Sequence, residues 1–429
     1  MKHLVRTRAL LALGGFVLLF AVSASAQSRA YRWYETQSYQ KKLYEENPEL
    51  KMQAMQLEEY LSLKQNNIQT RKFSIGVVFH IIQGPDSPEL SRHAILEQLA
   101  ILNQDFSREK TIRHKADTLE RFVDRASKME ISFCFPKEAP NGSKKEDAIF
   151  YYQSDSSAWS IGNNMKAART GGADPWDPAT HLNIWVVDLK RNRAGFAQMP
   201  GGPSPSDGIV IDYDFFGFKD EDNPYSEGKS LTHLVGSYLG LHELWNRYTP
   251  CADDGVEDTP IHNAPNFGND KYKQISTCYK NQTVVEMTMN FMDYTDDQLT
   301  YMFTAGQKAR VNAILQENGP RSFLARTKTF CEDIPDLILS ESTSVDDILN
   351  VFPNPADDRI RLNLGLADFT GNYQVFFFNS HGEILLHRHG RAGYFLSTEI
   401  DCSRWPSGIY VVQLQVDSQT YSKKINILQ

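Results

Sequence analysis

The sequence predicts an α/β (α+β) domain with a mixed sheet and long helices, followed by a small all-β sandwich. Three observations carry that prediction. Between Phe73 and Glu317, apolar runs of strand length alternate with segments whose apolar residues recur at helical spacing. From Leu349 onward the pattern changes to short alternating runs separated by turn residues. An aromatic content of 11% fits packed cores and not a disordered chain.

The elements follow in chain order. Lys2, Arg6 and Arg8 precede an apolar run from Ala9 to Val22, and Ala24-Ser25-Ala26 supplies small residues before Gln27. That order predicts a secretory signal peptide over residues 1–26. The apolar run is too short for a membrane anchor, which needs roughly 20 residues, and no later segment is long and apolar enough to span. Residues 27–72 are polar and helix-prone. Asn47 is placed to cap a helix that opens at Pro48 and carries Leu50, Ala54, Leu57 and Leu61 on one face. This stretch reads as a helical pro-segment or an N-terminal extension.

The main domain, residues 73–325, begins with the strand Ile75 to Ile82. Ser87-Pro88 then opens a helix with Ile95, Leu99, Leu102 and Phe106 on its apolar face. Ile131, Phe133 and Phe135 alternate as a second strand, Leu182 to Val187 form a third, and Gly208 to Ile211 a fourth. A second helix is expected from about Ser230 to His242, with Leu231, Leu234, Val235, Tyr238 and Leu239 facing the core, and a third near Ala305 to Glu317. Residues 326–348 lack periodicity and read as a linker. Residues 349–429 hold short strands such as Tyr373 to Phe378 and Ile409 to Leu414, punctuated by Asn379-Ser380-His381-Gly382 and Pro406-Ser407-Gly408.

Charge and cysteines bound the function. A net charge of -8 argues against nucleic acid as a partner. The five cysteines are Cys134, Cys251, Cys278, Cys331 and Cys402, and in an exported protein some should pair. Cys251 and Cys278 bracket one loop-rich stretch and are the favoured pair. The pairing of the other three is open.

The stretch from Leu231 to Trp245 invites comparison with the metalloprotease pattern HExxHxxGxxH. There, two His one helical turn apart and a third His grip zinc, and the Glu activates the bound water. Laid on this chain without a gap, His233 takes the first ligand position, Leu234 the general-base position and Ser237 the second ligand position. Gly240 is the turning glycine and Glu243 the third ligand, with His242 one residue early.

Surrounding segments point the same way. They are Ser74 to Gln83, His181 to Val186, Gly195 to Pro203 with Asp207 to Asp212, Cys251 to Pro260, and Asn290 to Asp297 running into Met302-Phe303-Thr304. Over residues 73–325 the chain resembles the pappalysin family of metzincin zinc proteases. The resemblance implies a metzincin-like catalytic-type domain, a Met-turn with Met292 beneath the metal, and Tyr294 facing it. It also implies zinc as the family's cofactor. Three departures compound: Leu234 is no base, a step worth roughly 10²–10⁴-fold; Ser237 is a poor zinc ligand; and only His233 and Glu243, or His242 after a shift of the helix end, are left to hold a metal. His80, His262 and Asp258 could replace the base or a ligand by residue type, and nothing in the sequence places them near His233. The acidic loop from Asp253 to Asp258 reads as a solvated turn or as a calcium site with Asp254 and Asp258 as ligands.

Val351-Phe352-Pro353-Asn354-Pro355-Ala356, Gly382, Gly408 to Val412 and Lys423-Lys424-Ile425 fall in order along the tail. They resemble the C-terminal sorting domain of type IX secretion substrates, an immunoglobulin-like sandwich. That resemblance implies the type IX machinery as partner and a destination on the cell surface or in the medium. The expected function is an exported pappalysin-like protein without catalysis, with zinc absent or weakly held and the cleft kept for a peptide or protein ligand or for scaffolding. The rival readings are an active metallopeptidase with a variant metal site and a surface adhesion or contact protein.

Overall fold

The computed structural model describes residues 31–64, 71–107, 120–136, 139, 148–191, 193–217, 223–268, 274–325, 348–365, 372–391, 395–416 and 419–428. The expected signal peptide and nearly all of the expected linker lie outside these residues. Among the described residues, no helix is long and apolar enough to cross a membrane.

In chain order the main domain contains α1 (Thr36–Glu46), α2 (Pro48–Lys64), β1 (Phe73–Gln83), α3 (Arg92–Ser107), α4 (Glu120–Val123), β2 (Ala126–Ser127), β3 (Ile131–Cys134), β4 (Ile149–Gln153), β5 (His181–Val187), β6 (Gly195–Ala197), β7 (Ile209–Asp212), α5 (Lys229–Tyr238), β8 (Ile275–Ser276), β9 (Val284–Val285), β10 (Phe303–Thr304) and α6 (Ala305–Leu315). The central sheet runs β3-β1-β5-β7-β6, and β4 extends the β3 side by pairing with the second half of β1. All its pairings are parallel except β6 with β7. Strands β1 and β5 are apolar almost throughout because both faces of the sheet are covered. The side with α3 and α5 buries Ile75, Val77, Phe79, Leu99, Leu102, Leu234 and Val235 in one cluster. The other side buries Trp185, Val187, Phe196 and Val210.

Residues 31–64 hold more than the single helix the sequence suggests. Asn47 accepts from the Glu49 amide at 3.2 Å and so opens α2 as expected. Helix α1 precedes it, and its only buried apolar residues, Tyr39 and Leu43, lie one turn apart against Trp185 and Val187. Ahead of α1, the chain runs beside β6. The Ala194 amide donates to the Trp33 carbonyl at 3.0 Å and the Glu35 amide to the Gly195 carbonyl at 2.9 Å, which makes a parallel bridge between Tyr34 and Gly195.

Helix α5 is buried at every one of its 10 residues, as befits a helix enclosed on all sides. It ends at Tyr238 and not at His242. The Leu241 amide returns to the Gly236 carbonyl at 3.0 Å, and Gly240 takes φ +91°, which closes the helix in a left-handed turn. A Cβ at residue 240 would also stand 3.1 Å from Ile314. Residues 242 and 243 therefore leave the helix and turn back beside it.

The C-terminal region is all β: β11 (Leu349–Phe352), β12 (Arg359–Gly365), β13 (Asn372–Phe378), β14 (Ile384–Arg391), β15 (Phe395–Asp401), β16 (Gly408–Val416) and β17 (Gln419–Ile427). They form a sheet of order β11-β12-β15 and another of order β14-β13-β16-β17. Between them lies a core with Leu349, Ile360, Leu362, Val375, Phe377 and Leu414, as in a sandwich. A disulfide joins Cys251 to Cys278, and Cys134 is also disulfide-bonded. Cys402 is a buried thiol directed at the Asp357 carbonyl, 3.3 Å away.

Candidate functional site

His233 sits in the middle of α5 and is 1% exposed. Its Nδ1 lies 2.8 Å from the Phe291 carbonyl. A carbonyl only accepts, so Nδ1 carries a proton, and in the neutral ring the lone pair is on Nε2. That Nε2 is buried without a hydrogen-bond partner. Glu243, brought back by the Gly240 turn, places Oε1 3.7 Å from it.

Glu243 is itself buried, and both of its oxygens already accept. The Tyr294 hydroxyl donates to Oε1 and the Gln37 amide to Oε2. Burial, and after it the Glu243 charge, pushes the Tyr294 phenol well above its ordinary range. Met292 is fully buried under α5, and its sulfur would stand 2.6 Å from a Cβ at residue 236. That close approach is why the helix has glycine there.

Leu234 is fully buried on the sheet side of α5. Its Cδ1 would be 2.8 Å from a Cβ at residue 195, so it packs directly against β6. Ser237 is buried. It lines a cavity of about 220 Å³ with Gln37, Glu58, His242, Glu243 and Asp254. His242 turns to Glu58, with Nε2 and Oε1 3.0 Å apart.

The cleft beside β6 is filled by the chain itself, a feature that sequence reasoning missed. The Tyr34 ring lies on the His233 ring with centroids 3.8 Å apart. Trp33 stacks near Phe267, and Trp245 and Tyr294 close around it. Arg32 enters a pocket where its guanidinium meets the Asp297 carboxylate, the Thr295 carbonyl and the Ser230 hydroxyl, 4.8 Å from the centre of the Tyr225 ring. The consecutive Arg32-Trp33-Tyr34 in an otherwise polar stretch was the available signal.

The remaining candidates stand elsewhere. Asp254 folds onto its own loop, accepting from the Thr259 hydroxyl at 2.8 Å and the Val256 amide at 3.3 Å, and burial pushes its carboxyl up to about 7. Asp258 accepts from the Thr304 hydroxyl at 2.6 Å and the Gly306 amide at 2.9 Å, at the start of α6. His80 is held by Asn183 at 2.9 Å and stacks on Trp185, and burial brings it down to about 4. The Nε2 lone pair of His262 accepts from the Met287 amide at 2.9 Å. None of these hydrogen bonds reaches His233.

These side chains can be tested against a zinc ion. His233, with Nδ1 fixed and Nε2 bare, has the form of a zinc-binding imidazole. Glu243 could be a second donor. The third position holds the Ser237 hydroxyl, and His242 is engaged with Glu58. Among the described residues no group of three or more His, Cys, Asp or Glu could hold a metal. A catalytic zinc takes three protein ligands and a water, so the donor set does not fit one.

Comparison with known proteins gives two family matches. Residues 169–316 match the peptidase family described as pregnancy-associated plasma protein-A, and residues 350–428 match the secretion system C-terminal sorting domain. An extracellular metalloprotease of Arthroderma gypseum is 28% identical over 260 residues, covering 58% of this chain and 74% of its own length. One from Arthroderma benhamiae is 26% identical over 265 residues, covering 59% and 75%. Among solved structures, mature mirolysin of Tannerella forsythia in complex with a cleaved peptide has a TM-score of 0.57 at 29% identity, covering 62% of this chain and 100% of that one. A promirolysin mutant from the same organism has a TM-score of 0.63 at 27% identity, covering 70% and 100%.

Proposed function

We propose, from the premise that residues 169–316 carry a pappalysin-family peptidase domain and residues 350–428 a secretion-system sorting domain, that this secreted protein is a non-catalytic member of its family acting as a scaffold. The observation that carries the reading is the donor set around His233. Leu234 stands where the general base would be and belongs to the hydrophobic core. Ser237 stands where the second imidazole would be, and Glu243 is committed to Tyr294 and Gln37.

A scaffold is favoured over a peptide-binding cleft because residues 32–36 occupy the edge of β6 where an extended ligand would add. Coverage of this chain is 62% by mature mirolysin and 70% by the pro-form. That difference supports reading the N-terminal segment as the counterpart of the pro-part. One observation favours an active enzyme with a variant metal site, namely the bare Nε2 of His233 close to Glu243.

Metal analysis of the protein purified without chelators separates the two. The expected result is far less than one equivalent of zinc and no chelator-sensitive cleavage of unfolded protein substrates. Full zinc occupancy, with cleavage abolished by His233→Ala, overturns the non-catalytic reading.

A further inference from the structure

We infer that the cleft is an intramolecular docking surface whose permanent occupant is this chain's own residues 32–36, and that residues 32–64 remain seated on the domain even if the chain is cut between α2 and β1. The inference rests on the non-catalytic reading of the same site and goes further, because it assigns the cleft a partner.

The segment is held by backbone and side chains together. It contributes to the sheet through backbone bonds on both sides of Tyr34, from the Ala194 amide and to the Gly195 carbonyl. It also places side chains in three separate cores. Tyr34 lies in the cluster that holds β1 and α5, Tyr39 and Leu43 lie with Trp185, and Leu61 is fully buried against Ala313 and Ile314 of α6. A removable cover touches one face of a domain; this segment is interleaved with both faces of the sheet and with α6.

Buried charges hold the segment as well. Arg32 and Asp297 are 1% and 0% exposed and pair with each other. Arg310, 1% exposed, pairs with Glu58 of α2 at 2.6 Å. Glu35 is buried between Arg247 and Arg193, each 2.9 Å away. Departure of the segment would strip the Asp297 carboxylate of the Arg32 cation and leave it with the Glu227 and Lys229 amides, and removing one member of a buried pair is costly.

Tyr34 closes the site itself. Its ring covers the imidazole of His233 at 3.8 Å, 3° from parallel, and its edge faces Tyr294, 4.9 Å away. Gln37 then supplies the hydrogen bond to Glu243. The two side chains that would hold a metal are thus both closed by residues of the segment.

The test uses the full chain with a site-specific protease sequence replacing residues 65–70. After cutting, native size-exclusion chromatography with mass analysis should show the fragment containing residues 32–64 co-eluting with the remainder. In the same cut protein, Arg32→Ala with Tyr34→Ala should raise the dissociation constant of the fragment by about 10²–10⁴-fold, the scale of a broken buried ion pair. The uncut double variant, in which the segment is tethered, checks that folding survives. Separation of the unmutated fragment, or unchanged retention of the double variant, overturns the inference. If the fragment separates and zinc-dependent cleavage appears, the non-catalytic reading falls as well. If it separates and no cleavage appears, only the docking inference falls.

Discussion

The ring of Tyr34 lies flat on the imidazole of His233, with centroids 3.8 Å apart and planes within 3°. The two residues lie far apart in the sequence and meet where the family's metal would be bound. His233 keeps the orientation of a ligand, because the Phe291 carbonyl fixes its Nδ1. Tyr34 turns that oriented imidazole into a packing surface.

Leu234 should behave as a core residue. Leu234→Met should cost less than about 1.5 kcal/mol, and Leu234→Ala about 2–5 kcal/mol. Leu234→Glu should destabilise at least as much as the alanine at pH 7, since an ionised carboxylate would be buried against β6 without a partner. Urea titrations of the three variants give the order. A Glu variant as stable as the natural protein would mean that the position still accommodates a base.

The Cys251–Cys278 bond closes a separation of 27 residues. The chain-entropy account of such a loop gives about 3.5 kcal/mol of stabilisation. Replacing both cysteines by alanine should lower stability by about that amount in chemical denaturation, with Cys134 left oxidised. A loss below about 1 kcal/mol would show that the loop is already held by its other contacts.

Glu97 on α3 is buried, its Oε1 has no hydrogen-bond partner, and burial alone pushes its carboxyl from 4.5 up to about 8. A raised carboxyl pKa means that the folded state holds a proton which the unfolded state has released. Stability from this group is therefore full below about pH 4.5 and falls as pH rises towards 8. Glu97→Gln has no such loss. Its stability relative to the natural protein should increase between pH 5 and pH 8, measured by thermal unfolding across that range. A difference independent of pH would count against the buried neutral acid.

The sorting domain should be needed for delivery and not for the fold of the main domain. Deleting residues 349–429 should leave the protein in the periplasm of a type IX-secreting host, with the main domain still resistant to proteolysis. Normal amounts of the truncated form at the surface or in the medium would contradict the role of the tail.

What the sequence made legible follows from local pattern. Strands β1 and β5 are readable because strands covered on both faces are apolar at nearly every position. The relation of His233, Gly240 and Glu243 is readable because it depends on helical spacing and one glycine. Less was visible where structure depends on distant pairing. Strand β6 is three residues long, too short for any period. Helix α1 shows only Tyr39 and Leu43 as buried apolar positions. The segment 32–36 has no pattern of its own and takes its conformation from β6. The ion pair of Arg32 with Asp297 joins residues 265 positions apart, and nothing local to either residue predicts the other. Helix α5 ends earlier than its apolar pattern suggests, because Leu239 and Leu241 prolong that pattern across Gly240, where φ +91° ends the helix.

The run of residues 33–35 along β6 also bears on how the protein stays dispersed. A sheet edge in a cleft built to receive extended chains offers unpaired amides and carbonyls to any passing strand, including the same strand of a neighbouring copy. In a protease that exposure is the means of capturing substrate. On the non-catalytic reading proposed above, an open edge would collect unfolded material that the chain does not cut and become a seed for aggregation. Here the amide of Ala194 and the carbonyl of Gly195 are already spent on Trp33 and Glu35, so a crowded cell surface meets a finished edge.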